Sequence, residues 1–272
     1  EPALESLRVF FEHAGWYTEA VKLFGAAAEA EQARAGDGSP LFGKLLARQA
    51  WFYHRLDRFE AARPLIQQSQ MIFRNAQPTV PAEEALCLTC LSNMARVVGD
   101  FAQAIEYSRQ SLSLHRVAGN PRTIVASLNM LGGVHTERGE FEEARRIHEE
   151  CLALRREIGD RRGVAVSLVQ LGNVAIAQGK YAEAKPFEQE ALAVFREIGY
   201  AMGQAVSLNN LGFCCYMLGE YVEARPLLQE CLAMCRELGH RHIAAHTLAN
   251  LGGVAGALGE YREAWQNTRE AL

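Results

Sequence analysis

The hexad Gly139-Glu140-Phe141-Glu142-Glu143-Ala144 decides the fold, because its pattern recurs along the whole sequence. Each copy has a glycine or aspartate first, an aromatic residue third and an alanine sixth. The other copies begin at Gly15, Asp57, Gly99, Gly179, Gly219 and Gly259. Counted from the aromatic residue, the copies lie 42, 42, 40, 40, 40 and 40 residues apart. Seven copies at a near-constant spacing predict seven structural repeats.

A helix is predicted before each hexad, and its apolar residues recur at i and i+3. Leu128 and Leu131 are followed by Gly132, and the same triplet recurs at residues 168, 171 and 172, at 208, 211 and 212, and at 248, 251 and 252. A glycine inside a helix costs about 1 kcal/mol relative to alanine. Its recurrence therefore predicts a close approach by a neighbouring helix.

A second helix is predicted to begin at the hexad aromatic residue. The hexad glycine is expected to end the first helix in the left-handed conformation, which Asp57 also tolerates. The second helix of repeat four then presents one apolar stripe made of Ala144, Ile147, Cys151 and Leu152. Gly159 is expected to end it, and Asp160 and Asn120 are expected to cap the helices that follow them.

The pattern resembles the tetratricopeptide repeat, with its L-G, G-x-Y, A and A-L positions visible, most clearly in residues 104–112. The usual repeat has about 34 residues, so the longer period lengthens the helices and turns. The proline that often closes the second helix is missing. Strings such as residues 154–163 are similar to the sensor arrays of bacterial STAND-class NTPases and large transcription activators, and more distantly to kinesin light chains.

The resemblance implies an all-α fold, a right-handed superhelical solenoid of seven helix-turn-helix repeats forming one domain. The expected repeats are residues 1–36, 43–78, 83–120, 121–160, 161–200, 201–240 and 241–272. Because the chain starts without methionine and ends inside a helical pattern, we expect a piece of a longer protein. Its ends, Glu1 to Leu7 and Trp265 to Leu272, are expected to expose apolar surface and to associate end to end.

Composition excludes some partners. The net charge of −4 and the isoelectric point near 6.1 give no basic excess for a phosphate backbone, so direct nucleic-acid binding is not expected. No apolar stretch approaches the roughly 18 residues that span a bilayer, and the N-terminus lacks a signal sequence. We expect a cytoplasmic protein without a membrane partner.

In tetratricopeptide arrays the first helices line a concave groove, and the resemblance assigns ligand contacts to their outward positions. The residues concerned are Trp51, His54, Arg55, Asn93, Arg96, Asn129, Thr136, Gln170, Asn173, Asn209, Asn210, Phe213, Tyr216 and Asn250. Asparagine offers both donors and acceptors, which suits recognition of an extended backbone. The alternative is that these side chains only solvate the wall or join neighbouring repeats.

Charge in the N-terminal half of this groove has two interpretations. Lys44, His54, Arg55 and Arg96 would favour an acidic segment or a terminal carboxylate. Alternatively, they pair with neighbouring carboxylates and contribute little.

Three other motifs receive structural interpretations. Residues 38–45 resemble a phosphate-binding loop but end in leucine without the required hydroxyl, so they are interpreted as a turn between repeats. The seven cysteines, including Cys87 and Cys90, are expected to be reduced packing residues, since no second pair completes a zinc site. His240, His242 and His246 form a cluster, with the last two on one helix face, but no further ligand is nearby. His135 is expected to be buried, and no metal or cofactor is predicted.

The function expected from these features is binding rather than catalysis, because no nucleophile, base and orienting residue come together. The leading hypothesis is a sensor or interaction array of a larger signalling regulator, holding a peptide, a protein segment or a small effector. The alternatives are a stand-alone adaptor and, third, an enzyme with an unrecognised site.

Overall fold

The computed structural model describes residues 2–76 and 80–271, which form α-helices joined by short turns. The predicted boundaries at Glu1, Pro78 and Leu272 lie outside these residues. The prediction of an all-α array of helix pairs is confirmed: fourteen helices and no strand occur in the described part of the chain. The chain forms two compact units, residues 1–138 and 139–272.

Each unit contains seven helices. Unit 1 comprises α1 (Pro2–Ala14), α2 (Tyr17–Ala35), α3 (Pro40–Arg55), α4 (Phe59–Asn75), α5 (Pro81–Val97), α6 (Phe101–Ala118) and α7 (Pro121–Glu137). Unit 2 comprises α8 (Phe141–Glu157), α9 (Arg161–Ala177), α10 (Tyr181–Glu197), α11 (Ala201–Met217), α12 (Tyr221–Glu237), α13 (Arg241–Ala257) and α14 (Tyr261–Ala271).

Glycines end the helices as predicted. Gly179, Gly219 and Gly259 have φ of 72°, 80° and 80°, the left-handed region that glycine enters without a steric cost. At Gly179 the turn is closed by the Lys180 amide, which donates to the Ala175 carbonyl at 2.9 Å. Asp57, with φ of 56°, replaces glycine in repeat two.

The predicted caps of two first helices are also present. The Asp160 side chain accepts from the Gly163 amide at 2.9 Å, and the Asn120 side chain accepts from the Arg122 amide at 3.1 Å. Each cap satisfies one of the backbone donors that a helix start leaves unpaired.

Unit 2 is built from helix pairs in which α9 packs on α10, α11 on α12 and α13 on α14. The first helices α9, α11 and α13 also contact one another in sequence. The recurring helix glycine makes this packing possible: a Cβ at Gly212 would lie 2.6 Å from Leu228 Cγ. The predicted close approach is therefore confirmed at this position.

Unit 1 uses the same pairs, α3 with α4 and α5 with α6, around an aromatic core. Phe24 of α2 and Phe52 of α3 are stacked with ring centroids 5.8 Å apart, and Phe11 of α1 packs edge-on against both. These rings fill the space between three consecutive helices.

The interpretation of residues 38–45 as a turn is wrong for most of the segment. Helix α3 begins at Pro40, and the side chain of Ser39 accepts from the Phe42 amide at its start. Proline at the first helical position and serine before it are a favourable helix start. The segment therefore contributes to the core, where Phe42 and Leu45 are buried.

Within the described residues, no helix combines the length and the hydropathy needed to cross a membrane.

Candidate binding surface

The first-helix face of unit 2 is formed by the half-buried side chains that α9, α11 and α13 present away from their second helices. Helix α11 contains no charged residue along its whole length, and α9 carries only Arg161 and Arg162 in its first turn. The face is therefore polar, and its charged residues Arg161, Arg162 and Arg241 stand in the first turns of α9 and α13. The predicted contact residues on it, all half-buried, are Gln170, Asn173, Asn209, Asn210, Phe213, Tyr216 and Asn250.

Its asparagines are joined in pairs between repeats. Asn210 Nδ2 of α11 donates to Asn173 Oδ1 of α9 at 3.0 Å. Asn250 Nδ2 of α13 donates to Asn209 Oδ1 at 3.3 Å, and the Thr247 hydroxyl also donates to that oxygen at 3.1 Å. The four asparagines Asn173, Asn209, Asn210 and Asn250 are called the amide row below. Both pairs therefore join neighbouring repeats.

The pairing leaves hydrogen-bonding capacity unused. Asn210 uses its Nδ2 group for two bonds, to Asn173 and to Glu188 Oε1 at 2.9 Å, so its Oδ1 stays available as an acceptor. Asn173 accepts through Oδ1, and its Nδ2 has no partner among the described residues. An acceptor and a donor side by side complement the N–H and C=O of a peptide backbone.

Glu188 of α10 accepts a hydrogen bond from the amide row on its buried side, and no sequence motif marked this residue. It is fully buried, and burial raises its pKa to about 8 even though the hydrogen bond from Asn210 and the nearby Ser207 hydroxyl act in the opposite direction. Gly172 provides the space, because a Cβ there would lie 2.5 Å from Glu188 Oε1. The missed signal is the repeat itself: Glu188 stands seven residues after the hexad aromatic, a position held by buried Leu228 in repeat six.

Two aromatic side chains border the row. Phe213 packs edge-on against Tyr181 with ring centroids 5.8 Å apart, and Tyr216 lies 6.1 Å from Tyr221. Gly253 of α13 accommodates the Tyr216 ring, since a Cβ at this glycine would lie 2.7 Å from its hydroxyl oxygen. Each ring is thus held by packing while its remaining surface stays half-exposed.

The predicted residues of unit 1 lie in a different environment. Trp51 of α3 donates through Nε1 to Glu12 Oε1 of α1 at 3.0 Å, and the Arg8 guanidinium lies 5.1 Å from the centre of its ring. Arg48 pairs with Glu83 of α5, and its side chain is only 6% exposed. Sequence analysis did not single out Arg48, Glu12 or Glu83. The acidic and basic side chains of this region therefore pair with one another.

Of the two interpretations of the basic residues in the N-terminal half, the surroundings of Arg96 and His54 favour local pairing. Lys44 is buried, and Arg96 forms an ion pair with Glu137 at 2.8 Å. Burial, with Arg55 beside it, lowers the pKa of His54 to about 4, so this imidazole is neutral at pH 7. Arg55 itself lies over Tyr17, with its guanidinium 5.5 Å from the ring centre.

The remaining predicted residues of unit 1 are Asn93, Asn129 and Thr136, all half-buried. The Thr136 hydroxyl donates to the Gly132 carbonyl of its own helix at 2.9 Å.

The cysteines pack inside the units. All seven are free thiols and are buried, and burial raises the pKa of Cys90 and of Cys214 to about 12. Cys215, Glu220 and Glu223 lie close enough together to hold a metal ion, but the Lys185 ammonium stands beside both carboxylates, 2.5 Å from Glu220. An ammonium there already balances the charge.

Two of the three histidines predicted to cluster are in contact. His242 and His246 are exposed on one face of α13 with ring centroids 4.7 Å apart, and His135 is buried.

Solved structures with similar folds come from several kinds of protein. A Pyrococcus horikoshii STAND protein with a tetratricopeptide repeat sensor superposes on 99% of this chain, with a TM-score of 0.81 and 15% identity. This chain covers 41% of that protein. NprR, solved in complex with its cognate peptide NprX, has a TM-score of 0.63 and 14% identity over 85% of this chain and 65% of its own.

TPR-like repeats from a Podosopora anserina protein named for kinesin light chain are a third example. They have a TM-score of 0.58 and 18% identity over 71% of this chain and 94% of theirs. At such identities the likeness shows the fold. No curated protein matches the sequence.

The family model of the tetratricopeptide repeat matches residues 83–157, 122–197 and 203–272, which together make up more than half of the chain. The predicted family is therefore confirmed, and the chain belongs to the tetratricopeptide repeat family.

Proposed function

We propose that the first-helix face of unit 2 binds an extended peptide or protein segment through its amide row. The observation that carries this proposal is the cross-repeat pair Asn173–Asn210, which presents a donor next to an acceptor on a half-buried face. A rigid scaffold that displays polar and aromatic side chains is a common basis for binding. The similar fold of NprR, solved with its cognate peptide, supports the same assignment.

The chemistry of the face indicates which segment it takes. Because α11 has no charged residue, a charged side chain of the ligand would lose its hydration without gaining an opposite charge. Phe213 and Tyr216 instead offer half-exposed rings to apolar side chains. We therefore favour an uncharged segment with apolar side chains over the acidic segment suggested by the sequence.

The wider role proposed for the chain is that of a cytoplasmic sensor array within a signalling regulator of the STAND type. The similarity in fold to the sensor of the Pyrococcus horikoshii protein supports this role. A small effector that presents an amide could occupy the same row. The array itself is proposed to act by binding, with any chemistry in a linked module. A full-length protein made only of repeats would favour the stand-alone adaptor instead.

Binding is tested by calorimetry with a library of N-acetylated, C-amidated hexapeptides that alternate Leu or Phe with Ser. A second library carries Glu in place of Ser. The variant Asn173→Ala/Asn210→Ala removes the donor and acceptor pair. Gln229→Ala, an exposed amide on α12, is the matched control.

We expect saturable binding of the uncharged library to the native chain and to the control, and at least a tenfold weaker affinity in the double variant. Equal affinity in both variants would place the binding site elsewhere. A preference for the Glu library would refute the proposed ligand chemistry. A turnover screen on the same peptides that detects products would favour the enzyme hypothesis.

A further inference from the structure

Glu188 occupies a position where packing does not require a carboxyl group. The residues seven places after the hexad aromatic are Ile66, Ser108, His148, Glu188 and Leu228 in repeats two to six, and every one is buried. In the repeat after that of Glu188, the apolar Leu228 fills this position. A carboxyl group in the interior is costly unless hydrogen bonds or protonation compensate it, so its presence needs another explanation.

Three helices meet at this carboxyl group. Oε1 accepts from Asn210 Nδ2 of α11 at 2.9 Å, and Gly172 of α9 leaves the space for that oxygen. Oε2 is buried and has no hydrogen-bond partner among the described residues. The same Asn210 nitrogen bridges to Asn173 Oδ1 at 3.0 Å. Glu188 thus shares the Asn210 donor with the amide row.

We propose that Glu188 is the positioning residue of the first-helix face: its carboxyl group orients the Asn210 amide so that Nδ2 points inward and Oδ1 faces the ligand. This inference rests on the proposed function for its biological meaning but not for its test. Without Glu188, the Asn210 amide keeps only one of its two acceptors, Asn173 Oδ1. The Asn210 amide is then free to rotate, and its Oδ1 no longer stays next to the Asn173 Nδ2 donor on the face.

The same contact makes the orientation depend on protonation. In the neutral acid, Oε1 accepts one hydrogen of Asn210 and the other hydrogen is left for Asn173. Burial raises the pKa of Glu188 to about 8, so this state prevails at pH 7. A buried carboxylate demands more donors. Ionisation therefore draws the Asn210 amide towards Glu188 and breaks the bridge to Asn173.

Few other titratable groups face this carboxyl group. From α11 the Cys214 thiol is nearby, and its pKa is raised by burial and, further, by Glu188. Cys215 and Tyr216 follow it in that helix, whereas α9 has only Arg161 and Arg162 in its first turn. On α10 itself, Lys185 is one turn away and pairs with Glu220. A titration centred near pH 8 on this face therefore belongs to Glu188.

The test uses NMR of the ligand-free chain, so a failure to find a peptide does not affect it. The side-chain amide resonances of Asn173 and Asn210 and the carboxyl ¹³C resonance of Glu188 are followed from pH 5 to 10. We expect all three to shift with one midpoint near pH 8. Glu188→Gln keeps an acceptor without a titrating proton, so the amide resonances should keep their low-pH positions throughout.

Glu188→Leu is the second variant, and its fold is protected because Leu228 fills the equivalent position. In this variant the Asn210 amide protons should exchange with water at least tenfold faster at every pH, with no midpoint. Unchanged Asn210 resonances in Glu188→Leu would overturn the proposal. So would the same amide midpoint in Glu188→Gln, because another group would then be responsible.

Discussion

At the scale of single residues, the core of unit 2 contains one carboxyl group whose ionisation the fold opposes. Glu188 is fully buried, and burial raises its pKa from an ordinary value of 4.5 to about 8. Because the folded chain holds this proton more tightly than the unfolded chain does, the stabilisation is complete below about pH 4.5. It is lost as the pH rises towards 8.

The first prediction concerns this loss. Between pH 5 and 8 the free energy of unfolding of the native chain should fall relative to that of Glu188→Gln, by up to ~1.4 kcal/mol per pH unit. Urea unfolding at each pH, followed by circular dichroism, measures both proteins. Parallel pH profiles for the two would show that Glu188 has an ordinary pKa in the folded chain.

The second prediction concerns a helix glycine. Gly212→Ala should lower the free energy of unfolding by about 1–3 kcal/mol, because the new Cβ would lie 2.6 Å from Leu228 Cγ. Gly256→Ala is the matched control: its Cβ would meet Ala264 Cβ at 3.9 Å, an ordinary contact. This control should be neutral or up to about 1 kcal/mol more stable. If the two variants behaved alike, packing would not explain the glycine of this position.

At the scale of helices, consecutive second helices of unit 2 are joined by a repeated set of ion pairs. Arg156 pairs with Glu190 at 3.2 Å, Arg196 with Glu230 at 2.7 Å and Arg236 with Glu270 at 2.5 Å. Each pair lies forty residues after the previous one. The charged faces of these second helices therefore connect neighbouring repeats.

The third prediction measures one of these pairs. A double-mutant cycle with Arg196→Ala and Glu230→Ala should give a coupling energy of roughly 0.2–1 kcal/mol, since both side chains are about half exposed. Raising NaCl to 1 M should reduce this coupling, because salt screens exposed charges. A coupling energy of zero at low salt would mean that the pair does not hold α10 and α12 together.

Helix boundaries show how much of the fold the sequence predicts. The period, the left-handed Gly179 and Gly219, and the Asp160 cap follow from local chemistry, and each was predicted. Helix α3 starts earlier than predicted because Ser39 and Pro40 favour a helix start more strongly than nearby glycines oppose it.

Less of the binding surface than of the fold could be predicted from the sequence. The face on which Asn173 and Asn210 lie follows from the period, but their hydrogen bond depends on how far apart two helices pack. Burial of Lys44 and Glu188 could not be read from their charge. Comparing equivalent positions in successive repeats would have identified Glu188, because Leu228 and Ile66 occupy the same place.

In the molecule as a whole, large apolar side chains are exposed in α1, just after it, and in α14. Phe10 and Trp16 are each 54% exposed in unit 1, and Trp265 is 61% exposed in unit 2. Glu1 and Leu272 belong to the two terminal segments that were predicted to associate, and they lie outside the described residues. Exposed aromatic clusters of this kind favour association between molecules.

The fourth prediction is that the chain self-associates as its concentration rises. Sedimentation velocity between about 5 and 500 μM should show a rising mean sedimentation coefficient. Phe10→Ser/Trp16→Ser should weaken the effect, whereas Val222→Ser, a change at an exposed residue of α12, should not. A native chain that sediments as a monomer over the whole range would contradict the prediction.

The equal spacing of the ion pairs between second helices has an evolutionary consequence. Removing residues 161–200 as one block would bring Arg156 into the register of Glu230, a residue of the same kind in the same place as its present partner Glu190. The ion pair that connects neighbouring second helices would thus form again after such a deletion. Unequal recombination within the gene could lengthen or shorten unit 2 by whole repeats while this ion pair is kept at the new junction.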